Sequence, residues 1–136
     1  MIYTTTNAAL ALQYLGFKPN VDFYASERAD GSIEVSWLSA AEQPDQAAVA
    51  GAELAAVKAI RIAAINAECR TRLLARYGSA EEQVSRAIGV YGAQEQADMQ
   101  AGIAATIDAS NTASNAVLAA ADIAAVEAVT VAWPAI

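Results

Sequence analysis

The chain has 136 residues, about a quarter of them alanine, a formal charge of −7, one cysteine and no histidine. That acidity argues against nucleic acid, whose phosphates attract Lys and Arg, and against an anionic membrane surface. The absence of histidine removes imidazole-based metal sites, triads and proton shuttles, and a lone cysteine leaves no internal disulfide.

The N-terminal stretch "MIYTTTNAALALQYLG" lacks the basic segment and long apolar run of a signal peptide, and no stretch offers ~18 consecutive apolar residues. A soluble protein made in the cytoplasm is expected. From Thr4 to Pro19 the pattern predicts a short helix, capped by Thr6 or Asn7 and stopped by Gly16 and Pro19. Its apolar face is expected to be Leu10, Tyr14 and Leu15.

"VDFYASERADGSIEVSWL" reads as a β-hairpin. Phe23 and Ala25 alternate with Tyr24 and Ser26, and Ile33, Val35 and Trp37 alternate with Glu34 and Ser36. Asp30-Gly31 predicts a type I′ turn, with positive φ at both residues. A two-stranded sheet is marginal alone, so flanking helices or another chain must cover its apolar face.

After Pro44, Asp45 is placed to cap a helix running from Gln46 to about Tyr77, roughly 45 Å at 1.5 Å per residue. Ile62, Ile65, Cys69 and Leu73 share a stripe. With no histidine to activate it, Cys69 reads as a buried, inert thiol. Lys58, Arg61, Arg70, Arg72, Arg76 and Arg86 fall in one stretch; this is a solvated face with intrahelical pairs or a docking surface for an acidic partner.

Gly78 ends the long helix, and Ser79 with Glu82 has capping-box spacing for the next, whose buried stripe is expected at Val84, Ile88 and Tyr91. A second long helix follows, with Met99, Ile103, Ile107, Ser110 or Ser114, and Val117 on one stripe. Ala101, Ala104, Ala105 and Ala109 would offer a neighbouring helix a small-residue face, and the polar residues of "NTASNA" are either solvated or bonded between helices. Asp122 caps a last short helix, and an extended tail carries Trp133-Pro134.

Acidic pairs such as Glu81–Glu82 lack a neighbouring nucleophile, and the glycines have no phosphate-loop spacing. The expectation is a non-enzymatic protein without cofactor, metal or small-molecule substrate. The fold expected is mainly α: a small N-terminal helix and β-hairpin cap over residues 1–44, then long Ala-rich antiparallel helices with an extended tail over 45–136.

Two blocks add a resemblance. "DGSIEVSWLSAAEQPDQAAVAGAEL", through Gly31, Trp37, Pro44, Asp45 and Gln46, resembles small tailed-bacteriophage proteins encoded beside tail-fibre and baseplate genes. "AAINAECRTRLLARYGSAEEQVSRA", through Ile65, Asn66, Glu68, Arg70, Arg72 and Tyr77, is similar to the helical segment of tail-fibre-associated and tail-fibre assembly proteins. The likeness continues through Ile107, Asp108, Asn115 and Trp133-Pro134, and so covers roughly Gly31 to Pro134. It departs at Tyr77–Gln83, where such proteins often carry an aromatic, basic stretch. The resemblance implies a component of the virion tail, made in the host cytoplasm, that contacts a tail-fibre or baseplate protein and associates with itself. The alternatives are a trans-acting fibre-assembly chaperone and a non-viral helical adaptor. The contacts expected to carry such packing are Trp37, Ile62, Ile65, Leu73, Ile103, Ile107 and Trp133.

Overall fold

A computed structural model describes residues 1–135. In chain order it contains β1 (Ile2–Tyr3), α1 (Ala8–Tyr14), β2 (Phe23–Glu27), β3 (Ile33–Trp37), α2 (Gln46–Tyr77), α3 (Ala80–Ala87), α4 (Ala93–Ala119) and α5 (Ile123–Glu127). The protein is thus mainly helical with a small antiparallel sheet. It divides into two compact units, Met1–Ala59 and Ile60–Ile136. The division falls inside α2, later than Pro44, because Val49, Ala52 and Ala56 near the start of that helix are buried and Val49 and Ala52 belong to the first unit's core. No helix among the described residues is long and apolar enough to cross a membrane.

In the first unit the predicted hairpin forms, and a strand that the pattern did not reveal joins it. The sheet order is β1-β3-β2, all antiparallel, with Tyr3 opposite Ile33 and Phe23 opposite Trp37. Two residues are too few to show an alternation, so β1 is legible only through its pairing. The turn differs from expectation. Gly31 has φ +84 but Asp30 stays at negative φ, and Gly31 N–H donates to Arg28 O at 3.0 Å. This is a three-residue loop closed by a bulge glycine. Ser32 N–H and Oγ–H both donate to Asp30 Oδ1, at 3.0 and 2.5 Å.

Helix α1 ends as predicted. Gly16, at φ +97, donates to Gln13 O at 2.9 Å, and Phe17 donates to Leu12 O at 3.0 Å, which is a Schellman closure. Its apolar face is corrected, however: Ala8, Ala11 and Leu12 are buried, while Tyr14 and Leu15 are exposed. The left-handed step at Gly16 redirects the chain so that Phe17, not Leu15, reaches the core of Tyr3, Leu12, Phe23, Val35 and Val49. The expected side-chain cap is missing too, since Asn7 makes none. Glu53, buried on α2, accepts from Asn7 N–H at 2.8 Å instead.

Asp45 caps α2 as the sequence predicts, accepting from Ala48 N–H at 2.8 Å. Further polar ties hold the N-terminus to this start: Thr4 N–H donates to Gln46 Oε1, Gln46 Nε2 donates to Thr5 Oγ1, and Tyr3 O–H donates to Pro44 O.

In the second unit α2 and α4 run antiparallel. Cys69 lies against Thr106, at 4.0 Å from Sγ to the carbonyl, and Ser110 Oγ–H donates to Asn66 Oδ1 at 3.4 Å. The buried stripe of α4 is Met99, Thr106, Ser110, Ala113 and Val117: Met99, Ser110 and Val117 are buried as expected, Ile103 is half-buried, and Thr106 takes the inward place expected for Ile107. Ile107 is 41% exposed, one residue and about 100° from Thr106. Gly102 sets this rotation, because the buried Tyr77 hydroxyl rests where a side chain at 102 would begin. Thr106 is tolerated inside because its hydroxyl donates to Gly102 O at 2.8 Å. The small-residue face is likewise corrected: Ala101, Ala104 and Ala105 are exposed and Ala109 is half-buried.

Helix α3 has its predicted cap, Ser79 Oγ accepting from Glu82 N–H at 3.2 Å, but buries no residue. Its expected stripe is overturned: Val84, Ile88 and Tyr91 are all more than half exposed. The polar side holds it instead, through the Arg86–Glu95 pair at 3.6 Å and a bond from Gln96 Nε2 to Ala87 O. Asp122 caps α5, accepting from Ala125 N–H at 2.7 Å, and residues 129–135 beyond it form no helix or strand, with Arg61 donating to Val129 O at 3.2 Å.

Candidate functional site

The residues expected to make contacts are distributed as follows. Trp37 belongs to the first unit, where its ring meets Phe17 edge to face at 4.7 Å and its Nε1–H donates to Ala41 O at 2.7 Å. That arrangement roots the indole in its own unit. The other six lie in the second unit. Ile65 is wholly buried and offers no surface. Ile62, Leu73 and Ile103 are half-buried, and Ile107 is the most exposed of the set. Trp133 is half-buried beneath the guanidinium of Arg72, 4.8 Å above its ring.

Larger exposed apolar surface lies elsewhere, in part at Val84, Ile88 and Tyr91, which periodicity assigned to the interior. Val84, Ile88, Val90 and Tyr91 are 54–72% exposed around the end of α3. On the long helices, Ile60, Leu74 and Leu118 are about half exposed or more. Among the described residues of the second unit, the largest fully buried side chains are Ile65, Val117 and Val126. Soluble proteins scatter single apolar residues on their surfaces, but a contiguous cluster marks contact.

The basic stretch resolves into distinct roles. Arg61 is bonded to the carbonyl of Val129 beyond α5. Arg72 is paired with Glu68 at 2.9 Å, and Arg86 with Glu95. Arg76 has no carboxylate partner among the described residues; its Nε–H donates to Tyr77 Oη at 3.3 Å. Two adjoining hollows, of about 100 and 230 Å³, share Arg76, Tyr77 and Asp98 as walls. Arg72, Gly102, Thr106, Pro134 and Ala135 complete the first, and Arg86, Glu95 and Met99 the second. Arg86 Nε is buried there without a hydrogen-bond partner. The sequence showed the arginines but not this convergence, which depends on the phase of α4 against Tyr77.

Among the described residues no group of three or more Cys, Asp or Glu side chains is arranged to hold a metal ion. Cys69 is buried and unpaired. Neither a family model, nor a curated protein, nor a solved structure matches the chain.

Proposed function

We propose that this protein is a non-catalytic component of a larger assembly, acting by helix packing, and specifically a tail-fibre-associated structural protein of a bacteriophage virion. The observation that carries the general reading is the apolar cluster at the end of α3. Val84 in α3 and Ile88 at its C-cap sit four residues apart, 60% and 72% exposed, and the helix buries nothing. An amphipathic helix gains little from folding unless its apolar face is covered, so a partner surface accounts for it. The specific reading rests on the resemblance through Gly31, Trp37, Pro44, Glu68, Arg72 and Trp133-Pro134.

Light scattering coupled to size exclusion, followed by mass analysis of purified particles, tests both levels. A discrete oligomer present in particles at fixed ratio supports the structural component. A monomer that binds nascent fibre and is missing from particles makes it an assembly chaperone. A protein with no partner and no self-association overturns the reading.

A further inference from the structure

We infer that the arginine-walled cleft of the second unit binds a single carboxylate carried on a short apolar stem. Hydrogen-bond accounting leads there. The guanidinium of Arg76 spends only its Nε–H, on Tyr77 Oη, and no carboxylate pairs with it among the described residues. Tyr77 accepts that bond, and its own hydroxyl hydrogen has no acceptor among them. Arg86 Nε–H is buried and unpartnered. Two buried donors, Tyr77 O–H and Arg86 Nε–H, thus have no acceptor among the described residues, beside the solvent-facing Nη groups of Arg76, and a buried donor left unmade costs about 1–3 kcal/mol. A carboxylate accepts at two oxygens and matches a guanidinium edge.

The rest of the lining sets the charge and shape. Glu95 and Asp98 share the walls, the former paired with Arg86 and the latter accepting from Gln94 at 2.8 Å. Their charges oppose a dianion such as phosphate; with Arg86 paired to Glu95 and Arg72 to Glu68, the charges of Arg76 and Asp98 offset each other, so a monoanion is held by hydrogen bonds at the Arg76 guanidinium rather than by a net positive field. Met99 supplies apolar contact for a stem in the hollow that Arg86 lines, and Pro134 and Ala135 line the adjoining one. The chemistry is shared by a free short-chain carboxylate and by the glutamate side chain of a bound protein.

The test follows the arginine Nε–H signals by NMR while sodium butyrate, or N-acetyl-glutamic acid amide, is added at constant ionic strength. Saturable shifts at Arg76 and Arg86 are expected, absent with chloride, and weakened roughly tenfold or more in Arg76→Gln through loss of a charge-assisted bond. Asp98→Asn, which removes an opposing charge, is expected to tighten binding. Tighter binding of butyrate assigns the site to free carboxylates, and tighter binding of the glutamate compound assigns it to a protein side chain. Shifts that are linear in concentration, that chloride reproduces, or that Arg76→Gln leaves unchanged overturn the proposal. Arg76 is exposed, so its replacement leaves the fold in place, and the Nε–H signal of Arg86 reports in both proteins.

Discussion

Gly102 and Gly51 show how one atom acts differently in two helix interiors. A methyl group at 51 meets nothing, whereas at 102 it meets the hydroxyl of the buried Tyr77. Gly51→Ala is therefore expected to stabilise the protein by about 0.5–1 kcal/mol, the ordinary helix gain. Gly102→Ala gains the same propensity but must displace a rigid phenol, at a cost of roughly 1–3 kcal/mol. Denaturant unfolding should show opposite shifts in midpoint, and Tyr77→Phe should remove most of the Gly102→Ala penalty. At the hairpin, the two bonds from Ser32 hold the Asp30 carboxyl below its ordinary value of 3.8, the side-chain bond being the larger cause. The folded pKa is depressed, so the turn's contribution is present above the ordinary aspartate range and lost as pH falls through the lowered value. Ser32→Ala should move the Asp30 titration, followed by carboxyl NMR, upward toward 3.8.

Among the elements, α1 depends on α2 for its N-terminus, since Asn7 makes no cap and Glu53 reaches its N–H. Glu53→Ala should lower stability by roughly 1–3 kcal/mol and speed amide exchange at Asn7, because a part-buried donor loses its only assigned acceptor. Exchange at Asn7 no faster than in the parent would mean that water replaces the carboxylate. Glu53 also shows what a sequence conceals: an acidic residue in a long helix reads as solvated until α1 is folded against it. The local signals were legible because each is settled within a few residues, such as Asp45 three before Ala48, Gly16 after Tyr14, and Asp122 before α5. The phases of α1 and α3, and of α4 around Thr106, were not. In Ala-rich helices the apolar residues are too few to fix a stripe, and one contact, Tyr77 on Gly102, turns α4 so that Thr106 faces inward and Ile107 outward. The arginine cleft shares that fate, being a product of packing across α2, α4 and the tail.

For the whole molecule, the deciding quantity is what the exposed apolar residues do in solution. Val84 and Ile88 make little of the chain's own core, so Val84→Asp with Ile88→Asp removes almost no intramolecular contact. If copies of the chain cover this face, the double substitution places charges in the covered surface, and light scattering should show the oligomer reduced to monomer. Thermal unfolding provides the complementary reading through mass action. An oligomer that binds only folded protein raises the midpoint as concentration rises, so the parent should melt higher when concentrated and match the variant when dilute. A variant that melts lower at every concentration would instead place Val84 and Ile88 in the fold's own stability. A parent that is monomeric throughout, with a midpoint independent of concentration, would leave this face to a different protein and favour the assembly-chaperone reading over the structural one.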